Sequence, residues 1–403
     1  MGPDDLDALR AGAAEVVPSD GLRDKLALGR PLRVKLGLDP TASDVTLGWA
    51  VVLRKLRQFQ EAGHVAVLIV GDFTARIGDP SGKTETRPRL EKDSVQVFAD
   101  RLLDQFWRIL DRERTEVRYN AEWLEVMDME DVLRLTASTT VARMLERDDF
   151  ATRFAEERPI SLLEFMYPLL QGMDSVAVQA DVELGGTDQK FNLLVGRDLQ
   201  RDHGQDPQIA LTMPLLVGTD GVNKMSQSLG NYIAITEPPD DMYGKLGRID
   251  DGLIPDYRIL TLDFFRDPSE AERVAAGLAD GSLDPWQEKR RLAREVVDLY
   301  AGTGEGDRAE ARFDLVHKEH RIPDEMPEAE IPADAVREGA VWLPRLLVAL
   351  ELATSNAEAR RLIEQGGIRL DGEPVPTAET EIAIEELRGR VLQAGRRSFI
   401  RLK

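Results

Sequence analysis

Three polar residues, Tyr167, Gln171 and Asp174, interrupt an otherwise apolar stretch at a spacing that allows them to act together. On a helix they fall at i, i+4 and i+7, so all three side chains lie on one face. Acidic and amide groups on such a face can satisfy the donors of a bound ammonium. The stripe would also suit a hydrogen-bonded network between a helix and a sheet, and the spacing alone leaves both interpretations open.

Two loop-like segments follow apolar runs and could line a substrate site. They are Gly37-Leu38-Asp39-Pro40-Thr41 and the stretch from Gly71 to Lys83, which includes Asp79. In a doubly wound sheet, ligands bind beyond the carboxyl ends of the strands, where such segments lie. Because Gly, Asp, Pro and Ser also dominate ordinary turns, either segment alone could be turn chemistry.

The elements around these segments predict an α/β fold. Short apolar runs alternate with amphipathic patterns, which is typical of a parallel sheet covered by helices. We predict strands at 32–38, 65–70 and 116–119, and helices at 47–61 and 90–112. The expected architecture is a doubly wound, Rossmann-type sheet.

The composition restricts the class of protein. With 403 residues, 42% of them apolar, the chain is long enough for two or three domains. No apolar run approaches the length of a membrane span and the amino terminus has no targeting pattern, so we expect a soluble, cytoplasmic protein without a membrane partner. The chain has no cysteine, and its only close histidine pair, His317 and His320, lies in a charged segment, so we expect no metal site.

The charge distribution indicates where RNA could bind and where a domain boundary falls. A net charge of −21 argues against non-specific binding of a polyanion over the whole surface. From Arg337 to Lys403, however, eleven basic residues face ten acidic ones, so an RNA contact there could be local. The Pro- and Glu-rich segment from about 321 to 340 predicts an extended linker before this part.

Two segments resemble the signatures of the class I aminoacyl-tRNA synthetases. Thr46-Leu47-Gly48-Trp49 resembles the first, His-x-Gly-His, but lacks both histidines. Lys224-Met225-Ser226-Gln227-Ser228 resembles the second, Lys-Met-Ser-Lys-Ser, with Gln227 for the second lysine. With Asp39-Pro40-Thr41, the Tyr167 stripe and Gly185-Gly186-Thr187-Asp188-Gln189, they make the chain similar to bacterial tyrosyl-tRNA synthetases from about Pro31 to Lys403.

The resemblance implies a tyrosine pocket. In the family, the residues that match Tyr167, Gln171 and Asp79 hold the substrate ammonium, and the one that matches Asp174 hydrogen-bonds the phenolic hydroxyl. The implied contacts to the amino acid also include Gly37, Asp39, Gln189 and Lys35, the last of which stands where many relatives have a tyrosine that reaches the phenol. A buried carboxylate opposite a phenol would be left unpaired if phenylalanine entered.

The resemblance also implies an ATP site. Its implied nucleotide contacts are Gly48, Trp49, Gly186, Asp188, Lys224, Ser226 and Ser228, and its implied catalytic residues are Thr41, Thr46, Lys224 and Gln227. Thr46 can donate a hydroxyl hydrogen bond at a helix amino terminus, where phosphate binds well. Trp49 allows three interpretations: it stacks on adenine, it fills the ATP site, or it turns inward with Leu47, Val51 and Val52 as core.

The carboxyl-terminal part resembles a small α+β RNA-binding module first known from a ribosomal protein. Its candidate phosphate contacts are Arg360, Arg361, Arg369, Arg396 and Arg397, although these could be solvated surface arginines. The implied domains are a Rossmann-type catalytic domain at 1–220, a signature loop with a helical tRNA-stem domain at 221–325, a linker at 326–340 and the module at 341–403.

Two functions remain at this stage. The first is a tyrosine–tRNA ligase that uses ATP with Mg²⁺ and no tightly bound cofactor, charges tRNA(Tyr) and forms a homodimer, as the resemblance implies. The second is a degenerate paralogue that keeps a tyrosine pocket and an RNA module but has weak or no ATP chemistry. The intact residues Asp39, Asp188 and Lys224 favour the enzyme, whereas Trp49 favours the paralogue.

Overall fold

A computed structural model describes residues 3–78, 92–263, 267–317, 326–337, 339–378, 381–395 and 398–403. The chain forms two compact units, Met1–Thr303 and Gly304–Lys403. This division differs from the predicted boundaries, because the helices between residue 221 and Thr303 belong to the same unit as the sheet. Among the described helices, none is long and apolar enough to cross a bilayer.

A six-stranded sheet is the centre of the first unit. Its strands are β1 (Glu15–Val17), β2 (Arg33–Leu38), β3 (Val65–Val70), β4 (Thr115–Tyr119), β5 (Val182–Gly186) and β6 (Ile209–Met213). The order is β1-β6-β5-β2-β3-β4, with β1 antiparallel to β6 and all other neighbours parallel. The order reverses at β2, which has β3 on one side and β5 on the other. In a doubly wound sheet such a reversal opens a crevice at the carboxyl ends of the strands.

Helices cover this sheet and extend beyond it. They are α1 (Pro3–Arg10), α2 (Gly21–Leu26), α3 (Leu47–Glu61), α4 (Lys92–Phe106), α5 (Ala121–Leu124), α6 (Met129–Ala137), α7 (Val141–Met144), α8 (Asp148–Ala155), α9 (Leu162–Val178), α10 (Lys190–Asp202), α11 (Pro239–Leu246), α12 (Ile254–Thr261), α13 (Pro268–Ala279) and α14 (Pro285–Ala301). The predicted bounds of α3 and β3 are confirmed. Helix α4 is shorter than predicted, because the chain leaves the helix after Phe106 and the Asp111 side chain caps a separate turn.

Helix α9 carries the polar stripe of Tyr167, Gln171 and Asp174. A capping box starts it: the Ser161 hydroxyl oxygen accepts from the N–H of Leu163, and the Glu164 carboxylate accepts from the N–H of Ser161 at 2.9 Å. Gln179 ends the helix in a left-handed conformation with φ of 51°. Its apolar residues pack against α10, and Val178 at its end packs with Val67 and Ile69 of β3. The prediction that Tyr167, Gln171 and Asp174 share a helix is confirmed.

The second unit combines short helices with two small sheets. Its elements are α15 (Glu305–His317), β7 (Glu328–Ala329), β8 (Val336–Arg337), β9 (Ala340–Trp342), α16 (Leu343–Ala349), α17 (Asn356–Glu364), β10 (Ile368–Leu370), β11 (Glu373–Pro374), β12 (Glu381–Ala383), α18 (Ile384–Leu387), β13 (Val391–Ala394) and β14 (Ser398–Leu402). The sheet orders are β11-β10-β13-β14-β7 and β12-β9-β8. Leu346, Ile363, Leu392 and Leu402 belong to its buried core.

The segment 326–340 is not an extended linker, so that prediction is wrong for its described residues. Strand β7 pairs in parallel with β14, and β8 pairs with β9. The reason is that β7 covers the outer edge of β14, whose backbone groups would otherwise lack a neighbouring strand.

Candidate active site

A cavity of about 560 Å³ lies at the carboxyl ends of β2, β3 and β5. Its walls bring together the predicted residues Gly37, Asp39, Thr41, Thr46, Gly48, Trp49, Tyr167, Gln171, Asp174, Gly186, Asp188, Gln189, Lys224, Ser226, Gln227 and Ser228. Asp79 lies outside the described residues. The two signature segments and the polar stripe of α9, which are far apart in sequence, therefore share one cavity.

The carboxylate of Asp39 is held at the point where β2 ends. One oxygen accepts a hydrogen bond from the Thr74 hydroxyl at 2.7 Å, and the other accepts one from the Tyr167 hydroxyl at 2.9 Å. Gly71 permits this approach, because a Cβ there would lie 2.0 Å from Asp39 Oδ1. Asp39 and Tyr167 are thus fixed relative to each other before any ligand enters.

Asp174 is a buried carboxylate that faces the cavity. It is 3% exposed, and its oxygens accept hydrogen bonds from Trp123 Nε1 at 2.9 Å and from Asn120 Nδ2 at 3.5 Å. Burial raises the pKa of Asp174 to about 7, against the opposing effects of the nearby Lys35 and of the two N–H donors. A carboxylate offers about four lone-pair positions, so two donors leave room for a ligand hydroxyl.

The Gln171 amide has a fixed orientation. Its Nε2 donates to Glu183 Oε1 at 3.1 Å, and its Oε1 accepts from Asn192 Nδ2 at 3.0 Å. Asn192 also donates to Gln189 Oε1 at 3.0 Å. The amide oxygens of Gln171 and Gln189 therefore converge on one donor at the cavity wall, where they could accept from a ligand ammonium.

Lys35 does not lie where the resemblance implied. Its side chain is completely buried and is not part of the cavity wall. Its Nζ lies 2.9 Å from Glu183 Oε1 and also donates to Ser175 Oγ and to the Gln171 carbonyl oxygen. An ammonium with an adjacent carboxylate is drawn toward that partner and away from the cavity, so Lys35 lies behind the pocket.

Thr46 begins helix α3 and closes a short strand-like pairing. Its hydroxyl oxygen accepts a hydrogen bond from Trp49 N at 3.3 Å, which caps the helix. On either side of it, the N–H of Leu47 donates to Ile233 O and the N–H of Ile235 donates to Val45 O, both at 2.8 Å. The amino terminus of α3, the positive end of the helix dipole, therefore faces the cavity from a fixed support.

Trp49 borders the cavity and is not a core residue. It is 39% exposed, whereas Leu47 and Val51 on the same helix are buried, so the inward-facing interpretation is wrong. Its ring lies beside that of Phe106, with centroids 6.3 Å apart and planes tilted by 31°. The other two interpretations, stacking on adenine and filling the ATP site, concern this exposed part of the ring.

The second signature segment is anchored at both of its polar ends. Lys224 Nζ lies 2.6 Å from Oδ2 of Asp188, in the turn that follows β5. Gln227 Nε2 donates a short hydrogen bond to the carbonyl oxygen of Asp44, two residues before Thr46. The segment therefore covers the cavity while it is bound to both neighbouring loops.

The candidate RNA contacts of the second unit are only partly described. Arg360, Arg361 and Arg369 are exposed, and Arg360 lies over the Trp342 ring at 5.0 Å. Arg396 and Arg397 lie outside the described residues. Exposed guanidinium groups on α17 and β10 suit phosphate contacts but do not by themselves identify a ligand.

Several residues that orient the site were not predicted from the sequence. Asn120 follows β4 directly and Thr74 follows β3 closely, so the rule that located Asp39 could also have located them. Trp123 and Asn192 lie on helices without a distinctive pattern, and no sequence signal indicated them. Among the described residues, no group of three or more His, Cys, Asp or Glu side chains could hold a metal ion.

Comparisons with known families match both units. Residues 27–318 match the family model described as tRNA synthetases class I (W and Y), and residues 341–382 match the S4 domain. The tyrosine–tRNA ligase of Moorella thermoacetica is 53% identical over 401 residues, which are 98% of this chain and 95% of that protein. That of Geobacter sulfurreducens is 48% identical over 99% of this chain and 98% of that protein.

A solved structure supports the fold. The tyrosyl-tRNA synthetase of Archaeoglobus fulgidus, crystallised with L-tyrosine, is similar with a TM-score of 0.62 and 24% identity, and the match covers 77% of this chain and 99% of that one. At this identity the likeness concerns the arrangement of strands and helices alone.

Proposed function

Because the chain belongs to the class I tRNA synthetases, among the tyrosine–tRNA ligases, we propose that it activates tyrosine with ATP in the cavity described above and then transfers the tyrosyl group to tRNA(Tyr). The observation that carries this proposal is the convergence of Asp174, Gln171 and Tyr167 with Lys224 and the amino terminus of α3. No comparison supports the alternative of a degenerate paralogue.

In this proposal, tyrosine binds with its phenol toward Asp174. The ionised carboxylate accepts the phenolic hydrogen, while Trp123 and Asn120 hold the carboxylate in place. The oxygens of Gln171 and Gln189 accept from the substrate ammonium. Phenylalanine would leave the buried carboxylate without this donor, which costs about 1–3 kcal/mol and more for a charged group.

The activation step needs positioning and charge stabilisation rather than proton transfer. A carboxylate oxygen of tyrosine forms a bond to the α-phosphorus of ATP, and the bond from that phosphorus to pyrophosphate breaks. Mg²⁺ enters with ATP and neutralises part of the phosphate charge. Lys224, Thr41 and the positive end of the α3 dipole stabilise the pyrophosphate as it leaves.

The altered signatures have defined roles in this scheme. The Thr46 hydroxyl hydrogen is still available for a phosphate oxygen, because its oxygen is the acceptor for Trp49 N. Gln227 holds the segment closed through Asp44, so that Lys224 is the cation of this loop that meets the phosphates. Gly186 and Asp188 bind the adenylate ribose, once Lys224 moves from Asp188 to the nucleotide.

The second step transfers the tyrosyl group to RNA. A terminal ribose hydroxyl of tRNA attacks the tyrosyl carbonyl, and AMP leaves. Arg360, Arg361 and Arg369 of the S4 domain contribute phosphate contacts to tRNA binding. Such contacts weaken steeply as salt concentration rises, because counterions compete for the phosphates.

A homodimer would explain an exposed apolar region of the first unit. Val126, Met129, Leu133, Val141, Phe154 and Leu162, all between α5 and the start of α9, are each at least 62% exposed. Monomeric proteins rarely expose so many large apolar side chains in one stretch. Light scattering should give twice the chain mass for the unaltered protein and a single chain mass for Leu133→Asp with Leu162→Asp.

Tyrosine-dependent ATP–pyrophosphate exchange tests the catalytic proposal. The unaltered protein should support exchange and then charge tRNA(Tyr). The double variant Thr46→His with Trp49→His is the internal comparison, because it restores the family's histidines. No exchange by the unaltered protein, with recovery in the double variant, would mean that the ATP chemistry has been switched off.

A further inference from the structure

A buried ion pair lies directly behind the tyrosine pocket and is not used by the mechanism above. Lys35 and Glu183 are opposite each other in the parallel strands β2 and β5. Their charged atoms are 2.9 Å apart, with exposures of 0% and 1%. Both side chains reach toward α9, because both bond residues of that helix.

The pair is completely hydrogen-bonded through one turn of α9. The ammonium of Lys35 has three acceptors: Glu183 Oε1, Ser175 Oγ at 2.7 Å and the carbonyl oxygen of Gln171 at 2.9 Å. Glu183 Oε1 also accepts from Gln171 Nε2, and Oε2 accepts from Ser175 Oγ at 3.1 Å and from Gln208 Nε2. Each donor of the ammonium is therefore satisfied without any ligand.

Stability alone is a poor reason for such a pair, because a buried ion pair often contributes no more than apolar residues of the same volume. What this pair does fix is geometry. It holds the main chain of α9 at Gln171 and the side chain at Ser175, and Asp174 lies between them. It also holds the Gln171 amide with its nitrogen toward Glu183 and its oxygen toward Asn192 and the cavity wall.

We propose that Lys35 is a positioning residue for the tyrosine pocket. Through Glu183 it fixes the Gln171 amide and the rotation of α9 that directs Asp174 into the cavity, and it does not touch the substrate itself. This inference rests on the proposed tyrosine pocket. This positioning role takes the place of the direct contact between Lys35 and the phenol that the resemblance implied.

The charge of Lys35 gives the proposal a second measurable effect. The charged groups that face Asp174 are Lys35 from β2, which favours its carboxylate, and Glu183 from β5, which opposes it. Trp123 and Asn120 donate to the carboxylate from the other side. Because tyrosine binding needs the carboxylate, tyrosine affinity should rise with pH through the pKa of Asp174, about 7, and loss of Lys35 should move this rise to higher pH.

The test is equilibrium binding of tyrosine without ATP, measured by calorimetry across the pH range around 7. We expect Lys35→Met to weaken tyrosine binding roughly tenfold at neutral pH and to raise the midpoint by about one pH unit. Lys25→Met is the matched control, since Lys25 is also buried and paired, with Asp206 at 2.6 Å and Asp181 at 3.7 Å, but both of these partners lie outside α9. That control should leave tyrosine affinity and its pH midpoint unchanged.

A double variant keeps the test valid if Lys35→Met does not fold. Lys35→Met with Glu183→Gln removes both charges and keeps an amide oxygen at position 183 that accepts from Gln171 Nε2. This double variant should therefore fold and bind tyrosine weakly, with a smaller shift in the pH midpoint of tyrosine affinity. In both variants the KM for ATP in pyrophosphate exchange should stay within about twofold of the unaltered value.

The outcomes separate this inference from the proposed function. Unchanged tyrosine affinity, or an equal loss for tyrosine and ATP, would overturn the positioning role. Tyrosine binding without exchange by the unaltered protein would refute the proposed chemistry and still allow the Lys35 test. If the unaltered protein binds no tyrosine, both proposals fall.

Discussion

Replacing Trp49 with Ala should raise the KM for ATP and leave the KM for tyrosine nearly unchanged. The ring lies beside Phe106 and is 39% exposed at the cavity wall, so part of its surface is available to a nucleotide base. Asp174 and Gln171, which define the tyrosine side, belong to a different helix. The two substrates should therefore respond differently to this change.

The size of the effect follows from stacking energies. A base stacked on an aromatic side chain loses about 1–3 kcal/mol when that side chain becomes alanine. Because Phe106 already occupies one side of the Trp49 ring, we use the lower part of this range, ~1–2 kcal/mol. That corresponds to a rise of about 5- to 30-fold in the KM for ATP.

The assay is pyrophosphate exchange at varied ATP and saturating tyrosine. Trp286→Ala is the matched control, because Trp286 is 40% exposed, lies in the same unit and does not line the cavity. It should leave both KM values unchanged. If Trp49→Ala instead lowers the KM for ATP or raises kcat, the ring obstructs the ATP site and the stacking argument is wrong.

Three further predictions concern the loop, the pocket and the RNA module. Gln227→Ala should lower kcat for pyrophosphate exchange by about tenfold, because the second signature segment, 224–228, loses its hydrogen bond to Asp44. Stopped-flow or steady-state exchange measures this, and an unchanged kcat would contradict a role of Gln227 in holding that segment closed. Asp174→Asn should stabilise the fold more at pH 8 than at pH 5. Burial raises the pKa of Asp174 to about 7, so the folded protein favours the protonated carboxyl group. That stabilisation is complete below the pKa of Asp174 in the unfolded chain and is lost as the pH rises through 7, whereas Asn carries no charge at either pH. Thermal unfolding of both proteins at the two pH values checks the sign, and a pH-independent difference would refute it. Arg369→Ala should weaken tRNA binding about threefold to tenfold and reduce its salt dependence, with pyrophosphate exchange unchanged; filter binding at two salt concentrations distinguishes this from a general loss of folding.

The elements whose pattern is set by local sequence were predicted well. Strand β3, Val65–Val70, is continuously apolar because both of its faces are covered, and α3 has a clear amphipathic period between its cap and its end. Position at a strand end then located Asp39. What these three cases share is that burial and capping act on residues close in sequence.

Features that depend on distant partners were not predicted. Lys35 was assigned to the pocket because a matching position in relatives reaches the phenol, but its direction is decided by Glu183, almost 150 residues later. The pairing of β7 with β14 likewise depends on the last strand of the chain, and nothing near Glu328 indicates it. The segment 326–340 is rich in Pro and Glu, but its composition contains no information about the edge of β14 that β7 covers.

The three departures from the family signatures lie close together around the start of α3, which favours a working variant over gradual loss. Thr46 accepts from Trp49 N, and Gln227 donates to Asp44, two residues away from Thr46. A neutral amide can bond that carbonyl without the cost of desolvating an ammonium, so Gln227 suits a closed segment better than a second lysine would. Substitutions that accumulate without selection have no reason to meet in this way. The energetic effects of restoring His at 46 and Lys at 227 should accordingly be coupled, because both changes act on the same three residues before α3.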